Sequence, residues 1–190
     1  MILRPLATPA DLELAANWLQ RKENAQWLDF GSFGQRVTPA LLRIMTQRET
    51  HYIRFYSMDG DDTPIGIVAL SNVDRNMRTG TLWGVAGEKS FRCRGWGPVA
   101  ASRLLTRAFQ ELGLYSVNTW VVAHNPSQRS AVRLGFRYVG LQRHCHVIDG
   151  QPYDRLLYDL LAREHRELVR PERAAALRHA RTPFQPPLPA

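Results

Sequence analysis

Cysteine is nearly missing from this chain. Of 190 residues only Cys93 and Cys145 carry a thiol, and neither stands in a CxxC or Cys/His ligand spacing, which excludes a disulfide framework and a cysteine-based zinc site. A reducing, cytoplasmic setting fits that usage. No apolar run approaches the ~18 residues needed to cross a bilayer. The opening MILRPLATPADLELA lacks the sustained apolar stretch of an export signal, so a soluble protein with no membrane partner is expected. Also missing are the GKS or GKT of a phosphate-binding P-loop and the last glycine of a GxGxxG fingerprint, where Ala100 stands after Gly95 and Gly97. There is no internal repeat. With no recognition helix, zinc ligands or aromatic RNA-binding strand, nucleic acid is disfavoured as a partner.

What is present is enough for one compact domain: 44% hydrophobic and 22% charged residues. The formal charge of +8 suits nucleic acid, an acidic protein surface or a phosphate-bearing small molecule, and charge alone does not choose. Part of the excess sits in Arg163, Arg166, Arg170, Arg173, Arg178 and Arg181. Residues 163–190 read as an appended, solvated extension, partly helical, with the proline-rich end TPFQPPLPA. The domain proper is expected over residues 1–162.

Two early helices are announced by Thr8-Pro9 and Thr38-Pro39, each a capping hydroxyl followed by proline at the first helical position. HYIRFYSM, PIGIVALSNV and TGTLWGVAG then read as three consecutive antiparallel strands. From Pro98 to Leu112 the apolar residues Ala101, Leu104, Leu105, Ala108 and Leu112 fall at helical spacing and stop at Gly113. A strand SVNTWVVA, a short helix over Ser127 to Leu134, and a closing hairpin around Asp149-Gly150 complete the pattern. The class is α+β, a mixed sandwich.

The stretch GVAGEKSFRCRGWGP, residues 84–98, runs from a strand through a basic glycine loop into a helix. Gly95 and Gly97 allow close backbone approach, Pro98 marks a first helical turn whose free N–H groups attract phosphate, and Arg92 and Arg94 add positive charge. The residues describe a pyrophosphate cradle.

Arg92-x-x-Gly95-x-Gly97 resembles the acyl-CoA signature R/Q-x-x-G-x-G/A of the GNAT superfamily, and HNPSQRSAVRLGFRYVG (124–140) is similar to that family's N-x-x-S, short helix, K/R-x-GF segment. The likeness runs from Ile2 to Leu161. Its end, with Arg143, Gly150, Tyr153-Asp154 and Tyr158, resembles the branch that includes acetyltransferases of ribosomal-protein N-termini. The resemblance implies a central, twisted, mostly antiparallel sheet of about seven strands flanked by about four helices. It implies acetyl-CoA, or another acyl-CoA, as co-substrate without a metal, a primary amine as acceptor (a small amine, an amino sugar or a protein N-terminus), direct attack in a ternary complex, and room for a homodimer. It gives the pyrophosphate to the backbone amides of Arg92, Cys93, Arg94, Gly95, Trp96 and Gly97, with Pro98 beside them in the cofactor-binding loop. The pantetheine arm goes to Val85, Ala86, Asn125 and Ser127.

Two departures bear on mechanism. The position at which many relatives hold a tyrosine acid carries Ala131, so that either Ser130 or Ser127 is expected to face the sulfur or the thiolate to leave unassisted, and the usual glutamate base is replaced around Gly80 and Thr81. His124 is the candidate base, because imidazole titrates near working pH. Trp27, Asp29 and Trp83 are candidates for the acceptor wall, with Asp29 against the ammonium. Two other readings stand beside the transferase: a non-catalytic acyl-CoA-binding domain, and a nucleic-acid module acting through the basic extension.

Overall fold

The computed structural model describes residues 1–29, 36–91 and 94–168. Along the chain come β1 (Ile2–Pro5), α1 (Pro9–Gln20), α2 (Lys22–Ala25), α3 (Pro39–Gln47), β2 (Tyr52–Ser57), β3 (Gly66–Asp74) and β4 (Thr79–Ala86). A 3₁₀ turn (Lys89–Phe91), α4 (Trp96–Gln110), β5 (Ser116–Val122), α5 (Gln128–Arg133), β6 (Arg137–Ile148) and β7 (Gln151–Leu161) follow. The seven strands form one sheet in the order β1-β2-β3-β4-β5-β7-β6, antiparallel at every junction except β4–β5. The expected sheet is therefore present. Five helices are described rather than about four, because Lys22–Ala25 forms a separate turn of helix.

β3 shows why the sheet is covered on both faces. Its first five residues, Gly66 to Leu70, are all buried, as a strand sandwiched between helices must be. Val68 and Leu70 point into a core with α4, which includes Leu104, Leu105 and Val117. Ile67 and Ala69 point the other way, into a core with α1 and α3 that holds Trp18, Leu19 and Leu42. Burying one Leu or Ile side chain stabilises by about 1.5–3 kcal/mol, and these two cores supply most of the packing.

Gly66 is fixed by a neighbour in the same sheet. A Cβ there would stand 2.3 Å from the Tyr56 hydroxyl and 2.4 Å from the ring carbon that bears it. Tyr56 itself is buried, at 3% exposure.

α1 begins as the Thr8-Pro9 signal predicts. Thr8 Oγ1 accepts the Asp11 N–H at 3.1 Å, and Asp11 Oδ2 accepts the N–H groups of Ala7 and Thr8, each at 3.0 Å. Arg4 on β1 closes the arrangement with two donors to the same carboxylate, at 2.8 and 3.0 Å. That fork ties the first strand to the first helix. The expected Pro98 start of α4 is corrected: the helix begins at Trp96 with Gly95 as its cap. Gly97 and Pro98 thus lie inside the first turn. The short helix after β5 is Gln128–Arg133, one residue shorter at each end than its sequence pattern.

Residues 163–168 run back against α4. The Leu168 N–H donates to Ser102 Oγ at 2.8 Å, and Thr106 Oγ1 lies 2.9 Å from His165 Nε2. The extension therefore starts as a packed segment. Residues 169–190, with Arg170, Arg173, Arg178 and Arg181, lie outside the described residues.

The Asp11 carboxyl is held well below its ordinary range, first by Arg4, then by the amides it accepts, against the opposing effect of burial. A depressed folded-state pKa stabilises the fold above the unfolded value near 3.9 and loses that contribution as pH falls below it. Asp11→Asn is expected to lower unfolding stability by about 1–3 kcal/mol at pH 7. Denaturant titration at pH 7, 4 and 2 should show the gap to the unsubstituted protein narrowing toward acid.

Candidate active site

β4 and β5 pair over three residues only, Thr79–Thr81 against Ser116–Asn118, and then part. Thr119 Oγ1 marks the point of separation by donating to the Leu82 carbonyl at 3.0 Å. Beyond it the two strands run on without each other to Ala86 and Val122. Strand geometry then decides which groups face the gap. The Leu82 carbonyl points toward β5, so by alternation the main chains of Gly84 and Ala86 do also. Val85 points its N–H and carbonyl at β3, opposite Ile67. Of the two residues named from sequence, Ala86 has the outward main chain. Gly84, which sequence reasoning passed over, is the second.

α4 starts where β4 ends. Gly95 takes a left-handed conformation at φ +78° as the helix cap and, lacking a side chain, makes no capping bond to the first turn. Trp96 and Gly97 carry N–H groups in that turn, while Pro98 has none. The dipole and these donors favour an anion. Two guanidinium groups are close. Arg94 is exposed and lies 6.0 Å from the Phe91 ring centre. Arg133, from α5, has Nη1 3.3 Å from where a Gly95 Cβ would be. Nothing in the sequence pairs Arg133 with Gly95, because the fold alone brings α5 beside α4. Tyr56 lies on the other side, its hydroxyl 3.7 Å from a notional Cβ on Gly97. Burial pushes its pKa up to about 12, so at neutral pH it is a proton donor. A diphosphate fits this donor set of backbone amides, cations and a neutral phenol. Arg92 and Cys93, named from sequence, lie outside the described residues.

The first two helices are anchored to the end of β4. The Trp18 indole donates to Glu88 Oε1 at 3.0 Å, Arg21 Nη1 donates to the Gly87 carbonyl at 2.7 Å, and Asn24 Nδ2 donates to the Trp18 carbonyl at 2.8 Å. Gly87 must be glycine, since a Cβ would sit 2.4 Å from the Trp18 ring.

Across the gap, Trp27, His124 and Tyr153 come together from three parts of the chain. The His124 ring centre is 5.2 Å from that of Trp27 and 4.5 Å from that of Tyr153. Among the described residues neither His124 ring nitrogen has a hydrogen-bond partner. Asp29 reaches Arg155 Nη1 at 3.7 Å. The structure thus gathers Trp27, Asp29 and His124 and adds Tyr153 and Arg155. Trp83 has contacts of its own. It lies on β4, packs at the edge of the α1–α3 core, and donates its indole N–H to Ser71 at 2.7 Å.

Asn125 closes a local turn, its Oδ1 accepting the Ser127 N–H at 2.8 Å. Ser127 is exposed, Ser130 is half-buried, and Ala131 is turned into the core.

The gap between two parallel strands therefore has a glycine-capped helix at its mouth. Residues 1–137 match the family described as "Acetyltransferase (GNAT) domain". The chain belongs to that family, and the class it defines is the acetyl-CoA-dependent N-acetyltransferases. Over 105 residues the chain is 31% identical to YdaF of Bacillus subtilis (strain 168), proposed to be a ribosomal N-acetyltransferase; the match covers 55% of this chain and 57% of that protein's length. A solved structure designated a probable acetyltransferase is 26% identical, with a TM-score of 0.69, covering 85% of this chain and 93% of the other. The spermidine N-acetyltransferase of Vibrio cholerae, solved with CoA and spermine, has a TM-score of 0.74 at 16% identity, covering 86% and 96%. At that identity it shares the fold. The sequence-level resemblance to GNAT enzymes and to their ribosomal branch agrees with these findings. No helix among the described residues is long and apolar enough to cross a membrane.

Arg133→Ala is expected to weaken acetyl-CoA binding about tenfold, the effect of one charge-assisted contact, while the unfolding midpoint stays within a degree or two. Isothermal titration and thermal melting measure the two separately.

Proposed function

We propose that this chain transfers an acetyl group from acetyl-CoA to a primary amine by direct attack within a ternary complex. The observation that carries the reading is the parted β4–β5 pair, with the first turn of α4 beyond the end of β4 and the His124 cluster beyond the end of β5. The main chains of Gly84 and Ala86 would pair with the pantetheine arm in strand fashion, joined by the Asn125 amide, whose Nδ2 has no partner among the described residues. The amides of Trp96 and Gly97, with Arg94 and Arg133, would hold the pyrophosphate.

An amine reaches the site mostly as ammonium and must lose a proton before its lone pair forms the C–N bond. His124 is the residue proposed to accept that proton, with Trp27 and Tyr153 holding its ring. As the C–S bond breaks, the attacking nitrogen sheds its second proton, which reaches the departing sulfur relayed through Ser130 or a water; the modest basicity of a thiolate also lets it leave unassisted, that proton then passing to solvent. The relatives' descriptions, one ribosomal and one polyamine, leave protein N-termini and small amines as acceptor classes.

Isothermal titration of acetyl-CoA into the protein, beside Gly97→Glu, tests the binding half. Micromolar binding that the substitution abolishes is expected, and no binding to the unsubstituted protein would defeat the reading. For the catalytic half, His124→Ala should reduce turnover about 10²–10⁴-fold, the usual range for a general base. It should also flatten the pH–rate profile in thiol-release assays. An unchanged rate and profile would remove His124 from the mechanism.

A further inference from the structure

The most unusual group beside the acceptor wall is a cation. Arg155, on β7, has a side chain only 15% exposed, and its guanidinium carbon lies 3.7 Å from the ring centre of Trp120 on β5. A buried neighbour fixes its orientation. His146, 5% exposed, lies 2.7 Å through Nε2 from the Gln26 carbonyl. That contact requires a proton on Nε2, so Nδ1 is the acceptor. Arg155 donates to Nδ1 from Nη2 at 3.0 Å and from Nε at 3.3 Å. The fork is thereby held from behind by the imidazole ring, and its Nη1 edge is left toward Asp29.

The charge on that edge is poorly met. Among the described residues the carboxylate nearest to it is Asp29 at 3.7 Å, longer than a hydrogen bond, on a side chain 54% exposed. An exposed pair at that distance contributes little. Arg4 shows how this same protein satisfies an arginine, with two bonds of 2.8 and 3.0 Å to a carboxylate that is only 10% exposed. A largely desolvated guanidinium, rigidly aimed and loosely paired, is the geometry of a carboxylate receptor. Its neighbours are aromatic, with Trp120 stacked on the guanidinium and Trp27 and Tyr153 in the His124 cluster, and the acid paired with it is the exposed Asp29.

We propose that the acceptor is a primary amine whose far end bears a carboxylate, carried on an apolar or aromatic body, and that Arg155 is the residue that selects it. The inference rests on the transferase reading above. A polyamine would bring a second cation toward Arg155, where like charges repel, and would find one exposed carboxylate to receive it. His146 is then a positioning residue, acting through Arg155.

The test uses two rigid acceptors that differ only at the far end: 4-(aminomethyl)benzoate and 4-(aminomethyl)benzamide, with spermidine as a third. Thiol release is followed at saturating acetyl-CoA. A kcat/KM at least tenfold higher for the benzoate than for the benzamide is expected, with spermidine lowest, the tenfold being the scale of a charge-assisted bond. Arg155→Met should abolish the preference by lowering the benzoate value while leaving the benzamide within about twofold, and Arg155→Lys should retain part of it through charge without the fork. A merely structural arginine would lower both acceptors together. Should Arg155→Met fail to fold, the benzoate-to-benzamide ratio of the unsubstituted protein still decides. Equal rates for that pair, spermidine as the preferred acceptor, or acetyl-CoA binding without acetylation of either aromatic amine would each overturn the proposal and leave the transferase reading standing. Absence of acetyl-CoA binding would overturn both.

Discussion

Parallel pairing of β4 with β5 is the constraint from which the remaining architecture follows. Two parallel neighbours need a crossover that returns the chain to its starting edge, and α4 is that crossover. Its first turn is therefore delivered to the carboxyl end of β4, the end that has separated from β5. A site for an extended, anion-tipped ligand results from topology before any side chain is chosen. Thr119 completes the junction by bonding the Leu82 carbonyl, which strand pairing would otherwise have served.

The two halves of the site are held to that junction by different means. On the cofactor side, Gly87 and Glu88 are gripped by Trp18 and Arg21 of the first helix and its end. The segment that carries Trp27 and Asp29 is thus referenced to β4. On the acceptor side, the β6–β7 hairpin reaches the same segment through the bond of His146 to Gln26. Trp27 and Asp29 are braced from both directions, and His124 meets them from the end of β5.

Much of the fold was readable from local signals. Thr8-Pro9 and Thr38-Pro39 capped the helices that the structure contains, and the strands of the meander fell within a residue or two of their apolar runs. The start of α4 was misjudged because proline is favoured early in a helix at more than one position. Here it stands third, behind Trp96 and Gly97. In the site, the glycines and Arg94 were legible because loop and helix lie together in sequence. Arg133, Tyr56 and the Arg155–His146 pair were not, since each depends on strands or helices brought together from distant parts of the chain. Trp83 was assigned to the acceptor wall by residue type alone, and in the fold its indole N–H goes to Ser71.

The contact between Tyr56 and Gly66 carries one more implication. Neighbouring strands supply these residues, directly opposite in register, and the ring occupies the volume where any larger residue at 66 would begin. The two positions are therefore not free to drift separately. A sequence descended from this one that gains a side chain at 66 must first give up the aromatic ring at 56, and with it the phenol beside the first turn of α4. Co-substitution at this pair among descendants would accordingly mark lineages in which the surroundings of the first turn of α4 have been rebuilt.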